Sequence, residues 1–152
     1  ADYSAALEQD PTLITARFDR GGAFFRAGDY RRAVEDYTAV IEQRPRWATA
    51  YLNRGRVYVE QSRFPEALRD YGKAITLAPD RGDLYRYRAL ALARMGRYSD
   101  ALVDYARALE RNPQDALAYN GRGLAYLRIK AYPEAIEAFK RERTFPYAAP
   151  CQ

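Results

Sequence analysis

The side chains in this sequence best able to do chemistry are arginine, aspartate and tyrosine, and they recur at a fixed interval. Arg20, Arg54, Arg88 and Arg122 are 34 residues apart, and so are Asp2, Asp36, Asp70 and Asp104, each followed at once by a tyrosine. A guanidinium and a carboxylate can form two parallel charge-assisted hydrogen bonds, a geometry suited to tying elements together or to holding an acidic partner. Bond-making chemistry is poorly provided for. The 152 residues contain no histidine, which excludes His-based triads, His zinc sites and His proton shuttles. Cys151 is the only cysteine, so neither an internal disulfide nor a cysteine metal site can form within one chain. The sequence shows no carboxylate pair, glycine-rich phosphate loop or nucleophile motif. The expectation is therefore no enzyme, no catalytic residue, no cofactor and no metal.

Composition narrows the partners. The formal charge is +5, but the 22 arginines and 3 lysines are dispersed among 20 acids, without the single-sign tract that nucleic-acid binding leaves. With 48% apolar and 30% charged residues the chain reads as a folded, soluble one. No apolar run approaches the roughly 18 residues of a membrane span, and no basic-then-apolar leader is present. The chain starts Ala1-Asp2 without methionine, which is read as a processed product or a fragment. The compartment, cytoplasmic or exported, stays open.

The elements that must position these side chains follow from the same interval. Pro11, Pro45, Pro79 and Pro113 keep it, as do Ala33, Ala67, Ala101 and Ala135, and Gly21, Gly55, Ala89 and Gly123. Within a unit, Tyr30, Ala33, Val34, Tyr37, Val40 and Ile41 step by threes and fours, one face of a helix. The proline after each such segment stops it, because proline cannot donate into a continuing helix and forces its predecessor out of helical angles. Pro65 and Pro133 fall instead at a first helical turn, where no amide bond is lost. Segments near 14–27, 48–61, 82–95 and 116–129 form the other helix of each unit, ending at polar breaks such as Ala27-Gly28-Asp29. Glycine inside a helix costs about 1 kcal/mol relative to alanine, so its recurrence calls for a packing reason. Small residues at Gly21 and Ala33 would bring the two helices close while Phe24 and Tyr37 fill the adjoining space.

These residues resemble the tetratricopeptide repeat family. The second unit supplies the family's aromatic, glycine, aromatic, alanine, aromatic and proline as Tyr51, Gly55, Tyr58, Ala67, Tyr71 and Pro79. The fourth supplies Tyr119, Gly123, Tyr126, Ala135 and Phe139. Departures are Arg17 for a leading aromatic, Ala89 and Leu92 for the third unit's glycine and aromatic, and arginine in place of the leucine before each glycine. The resemblance implies an all-α fold, an α-solenoid or right-handed superhelix of antiparallel helix pairs. A single domain over 1–152 is expected: a half repeat at 1–11, repeats at 12–45, 46–79, 80–113 and 114–147, and a tail at 148–152. Glu142 and Arg143 replace the apolar pair of earlier units, and the closing proline is displaced to Pro146, which is read as a polar terminal cap.

Pairing each aspartate with the arginine 18 residues after it uses all four of each: Asp2 with Arg20, Asp36 with Arg54, Asp70 with Arg88, Asp104 with Arg122. Ties between neighbouring repeats are therefore expected.

The resemblance also implies that the first helices line a concave groove for a partner protein, making the chain an interaction scaffold. Carried onto this sequence, the groove takes Phe18, Phe25 and Arg26 from the first unit and Leu52, Arg56 and Val59 from the second. The third gives Arg86 and Arg94, and the fourth Asn120, Leu124 and Arg128. Apolar anchors and dispersed arginines suit a protein or peptide partner with one or two apolar residues and acidic ones, rather than a small-molecule substrate. The family's specialised binders of acidic chaperone tails use Lys and Asn where this chain has Phe18, Gly22, Leu52 and Arg56, so that activity is not expected. A self-associating structural module is the alternative, and an RNA-binding helical repeat a further one.

Overall fold

The computed structural model describes residues 13–144, which form helices joined by short turns. In chain order these are α1 (Ile14–Arg26), α2 (Tyr30–Gln43), α3 (Ala48–Glu60), α4 (Phe64–Leu77), α5 (Gly82–Arg94), α6 (Tyr98–Arg111), α7 (Ala116–Arg128) and α8 (Tyr132–Thr144). The expected half repeat at 1–11, Pro146 and the tail lie outside the described residues.

Local chemistry sets the ends. Arg44, Ala78 and Asn112, each before a proline, have ψ of 74°, 70° and 90°, out of the helical region as steric conflict with the proline ring requires. Inside each pair the chain reverses through one residue in the left-handed region: Gly28 and Gly96 at φ 77°, Ser62 at 59° and Lys130 at 61°. The amide of the following residue then closes back on the helix, as Asp29 does on the Phe24 carbonyl at 2.9 Å. The Asp29 side chain next caps α2 by accepting from the Arg32 amide at 3.1 Å.

The chain divides into two compact units, one through Ala78 and one from Pro79. In the first, α1 packs on α2, α3 on α4, and α2 on α3. Ala33, Tyr37 and Val57 form a buried cluster with Phe18, Phe24, Phe25, Tyr30 and Val34 packed against it. The helical glycines have the packing reason the sequence demanded. A Cβ on Gly21 would stand 3.2 Å from the Tyr37 ring and one on Gly55 2.6 Å from Tyr71. The second unit repeats the plan with α5 on α6, α7 on α8 and α6 on α7.

The repeated arginines and aspartates pair, but not as expected. Arg20 binds Asp36 through Nε at 2.8 Å and Nη2 at 2.6 Å. Arg54 binds Asp70 with both bonds at 2.8 Å, and Arg88 binds Asp104 at 2.6 and 2.8 Å. Each pair lies inside one helix pair, 16 residues apart, because positions at that separation face each other across the intervening turn. The proposed partnerships of Asp36 with Arg54, Asp70 with Arg88 and Asp104 with Arg122 are thereby corrected, and Asp2 lies outside the described residues. Arg122 meets no aspartate: Ala138 occupies that place in register, and the buried Nε of Arg122 has no hydrogen-bond partner among the described residues. Ties between neighbouring pairs do occur: Arg54 Nη1 donates to Thr38 Oγ1 at 3.1 Å, and Arg86 Nε donates to Asp115, the residue that caps α7, at 2.9 Å.

On α8, Glu142 is half-buried and Arg143 exposed, and the apolar side chains of Tyr132 and Ile136 are exposed as well. Their register equivalents Tyr30 and Val34 pack against the core of the first unit.

Candidate partner-binding faces

The first-helix positions expected to bind a partner fare differently in the two units. In the first, Phe18 is taken up by packing: its ring stacks on Trp47 at 4.5 Å and meets Tyr37 edge-on at 5.5 Å. Leu52 and Val59 are only 4% and 6% exposed, so the apolar surface expected of them is interior. Phe25 is half-buried, packed beside Tyr30 and covered by the Arg56 guanidinium 5.2 Å above its ring. What faces outward is a small polar hollow of about 210 Å³, lined by Phe18, Asp19, Gly22, Arg26, Tyr37 and Asn53. Burial raises the Tyr37 hydroxyl above its ordinary pKa, against the opposing influence of Arg56, hydrogen bonding to Asn53, and Arg26.

The second unit brings more of the expected residues together. Five expected residues, Arg86, Arg94, Asn120, Leu124 and Arg128, line one hollow of about 500 Å³ together with Leu90, Ala93 and Leu117. Leu90, Leu117 and Leu124 are 41%, 45% and 52% exposed, and apolar surface gathered in a concavity is the informative kind. Arg86 is held by Asp115 at 2.9 Å, with Tyr87 under its guanidinium at 4.8 Å, and Asn120 donates to Glu142 at 3.0 Å. Arg94 and Arg128 are exposed. The hollow also reaches Tyr105 and Gly121, which the sequence reading did not select. Burial pushes the Tyr105 hydroxyl up to about 12, with Arg86 pulling the other way, so it is a neutral donor at physiological pH. One signal could have found the site: glycine at 121 stands where the earlier repeats carry Asp19, Asn53 and Tyr87.

Among the described residues no group of His, Cys, Asp and Glu could hold a metal, and no helix is long and apolar enough to cross a membrane.

The tetratricopeptide repeat family profile matches residues 18–83 and 86–149. The chain belongs to the tetratricopeptide repeat family. This family is a protein-interaction module, which makes the chain an interaction scaffold in the coarse sense. Solved tetratricopeptide repeat structures share its fold. A crystal structure of MamA is 24% identical, with 93% of this chain and 83% of that one covered and a TM-score of 0.84. MamA from residue 41 to its end, from Desulfovibrio magneticus RS-1, is 20% identical over 94% of this chain and 81% of that one, with a TM-score of 0.84. The first tetratricopeptide domain of Spaghetti (RPAP3), bound to the HSP90 peptide SRMEEVD, is 24% identical over 80% of this chain and 96% of that one, with a TM-score of 0.74. These likenesses place the chain among all-α solenoids of antiparallel helix pairs. No protein of curated function matches the sequence.

Proposed function

We propose that this tetratricopeptide scaffold holds an extended protein segment containing acidic residues and an apolar anchor, chiefly on the first-helix face of its second unit. The observation carrying this reading is the 500 Å³ hollow, where exposed leucines sit beside Arg86, Arg94 and Arg128 and none of the described lining residues is a carboxylate. Arginine supplies planar, bidentate recognition of carboxylates, and exposed leucines gain by being covered. In the first unit Arg26 and Arg56 extend the basic character, but the apolar share there is spent on internal packing. The fold can present such a segment, as the acidic peptide on the Spaghetti domain illustrates. The Lys and Asn pattern of the chaperone-tail binders is absent, so a different acidic segment is the expected partner.

Selection from an unbiased displayed-peptide library tests the reading, with the wild type set against Arg26→Glu/Arg56→Glu/Arg94→Glu/Arg128→Glu. Enrichment of acidic peptides with an apolar residue, lost on charge reversal, is expected. Peptides without acidic residues, or equal capture by the reversed protein, would contradict it.

A further inference from the structure

Two departures from the repeat pattern fall at the second unit's hollow lined by Leu90 and Leu124. At the first unit's equivalent place, Gly21 leaves space on one side of Tyr37 and Asn53 stands on the other. The second unit inverts this. Ala89 brings a buried methyl where glycine is usual, and Gly121 has no side chain where Asn53 has one. A Cβ built on Gly121 would overlap Cζ, Oη and Cε1 of Tyr105, so the tyrosine lies directly against the bare backbone of α7. In register, Ala89 stands where Gly21 and Gly55 meet Tyr37 and Tyr71, and the Tyr105 ring lies against α7. Gly121 thus lets the tyrosine's hydroxyl end seat against α7, and both residues line the hollow.

That opening has a defined chemistry. Leu90, Ala93 and Leu124 give apolar walls, and Arg94 and Arg128 a cationic rim. The Tyr105 ring, itself buried, lines the hollow beside Gly121. We propose that the Gly121 hollow is a specificity pocket for one leucine-sized apolar side chain of the partner segment, followed directly by an acidic residue whose side-chain carboxylate meets the Arg94 and Arg128 rim. This rests on the reading that the second unit's first-helix face binds a partner segment.

The probe is N-acetyl-Leu-Glu-amide, titrated into ¹⁵N-labelled full chain and followed by amide chemical shifts. Its comparators are the Gln-for-Glu analogue, the Ala-for-Leu analogue and N-acetyl-leucine, which carries only a terminal carboxylate. Saturable shifts at Gly121, Leu124 and Arg128 are expected, with each comparator at least about fivefold weaker. Gly121→Ala/Ala89→Gly, in which Tyr105 regains room to withdraw from the new methyl, is expected to lose the site while keeping the fold. Equal binding of any comparator, shifts centred elsewhere, or undiminished binding by that double variant would overturn the pocket. If library-selected acidic peptides still bind the wild type and lose binding on charge reversal, the pocket alone has failed. If they too fail, the reading beneath it falls as well.

Discussion

The two carboxylate oxygens of Asp70 each accept a 2.8 Å hydrogen bond from Arg54, one from Nε and one from Nη2, and the aspartate is buried. The bond to Asp70 raises the Arg54 pKa above the ordinary guanidinium value despite opposing burial, the pattern also seen at Arg20 with Asp36 and Arg88 with Asp104. Removing one partner strands a buried charge. Asp70→Ala should therefore destabilise the protein by about 3 kcal/mol, whereas Arg54→Met/Asp70→Ala should cost clearly less. Urea unfolding of both variants checks this; a loss under about 1 kcal/mol for the single variant would make the pair incidental.

Arg122 lacks the aspartate its three counterparts have, and its Nε is buried without a partner among the described residues. Ala138→Asp should supply the missing carboxylate. Satisfying that donor is expected to add about 1–2 kcal/mol and raise Tm by several degrees. Thermal unfolding of this variant beside Ala138→Asn separates the charge from the added volume, and equal effects would deny the register argument.

Ser62 and Lys130 hold left-handed backbone that Gly28 and Gly96 adopt at the same turn of other repeats. A Cβ there conflicts with the neighbouring carbonyl, so Ser62→Gly and Lys130→Gly should each stabilise by about 1 kcal/mol. Chemical denaturation of the two variants reads this directly. No gain at either site would show that the turn geometry is relaxed in solution.

Burial holds the Tyr105 hydroxyl protonated to about pH 12, while in the unfolded chain it ionises near 10. Its contribution is complete below pH 10 and is lost as the pH rises towards 12, because only the unfolded state then releases the proton. Stability should fall across that window, and Tyr105→Phe should fall by less, with a difference on the order of 2 kcal/mol by pH 12. Denaturation midpoints at pH 9, 11 and 12 measure it; parallel curves would place the hydroxyl in free contact with water.

Much of this architecture was legible in the sequence because its causes are local and repeated. The prolines at 45, 79 and 113 and the glycines at 21, 55 and 123 act within a few residues of themselves, so their spacing alone yields the helix pairs. Spacing alone completes four Arg–Asp pairs at a separation of 18 residues, but the geometry of one turn brings Arg54 opposite Asp70, 16 residues on. Leu52 and Val59 show a different limit: helical period tells which way a side chain turns, not how deeply its surroundings bury it. Gly121 departs visibly from the repeat, but its meaning depends on Tyr105, which lies against it from another helix beside a register where Ala89 replaces glycine. Such a three-residue arrangement across helices has no signature in any one segment.

The proposed function puts an acidic, apolar-anchored segment on the first-helix face of the second unit. Amide shift mapping of the full chain during titration with a library-selected peptide tests it most directly. The expected result is saturable perturbation centred on Leu90, Arg94, Gly121, Leu124 and Arg128. Perturbation centred instead on the exposed Val103 and Ile136 of the second helices would contradict it.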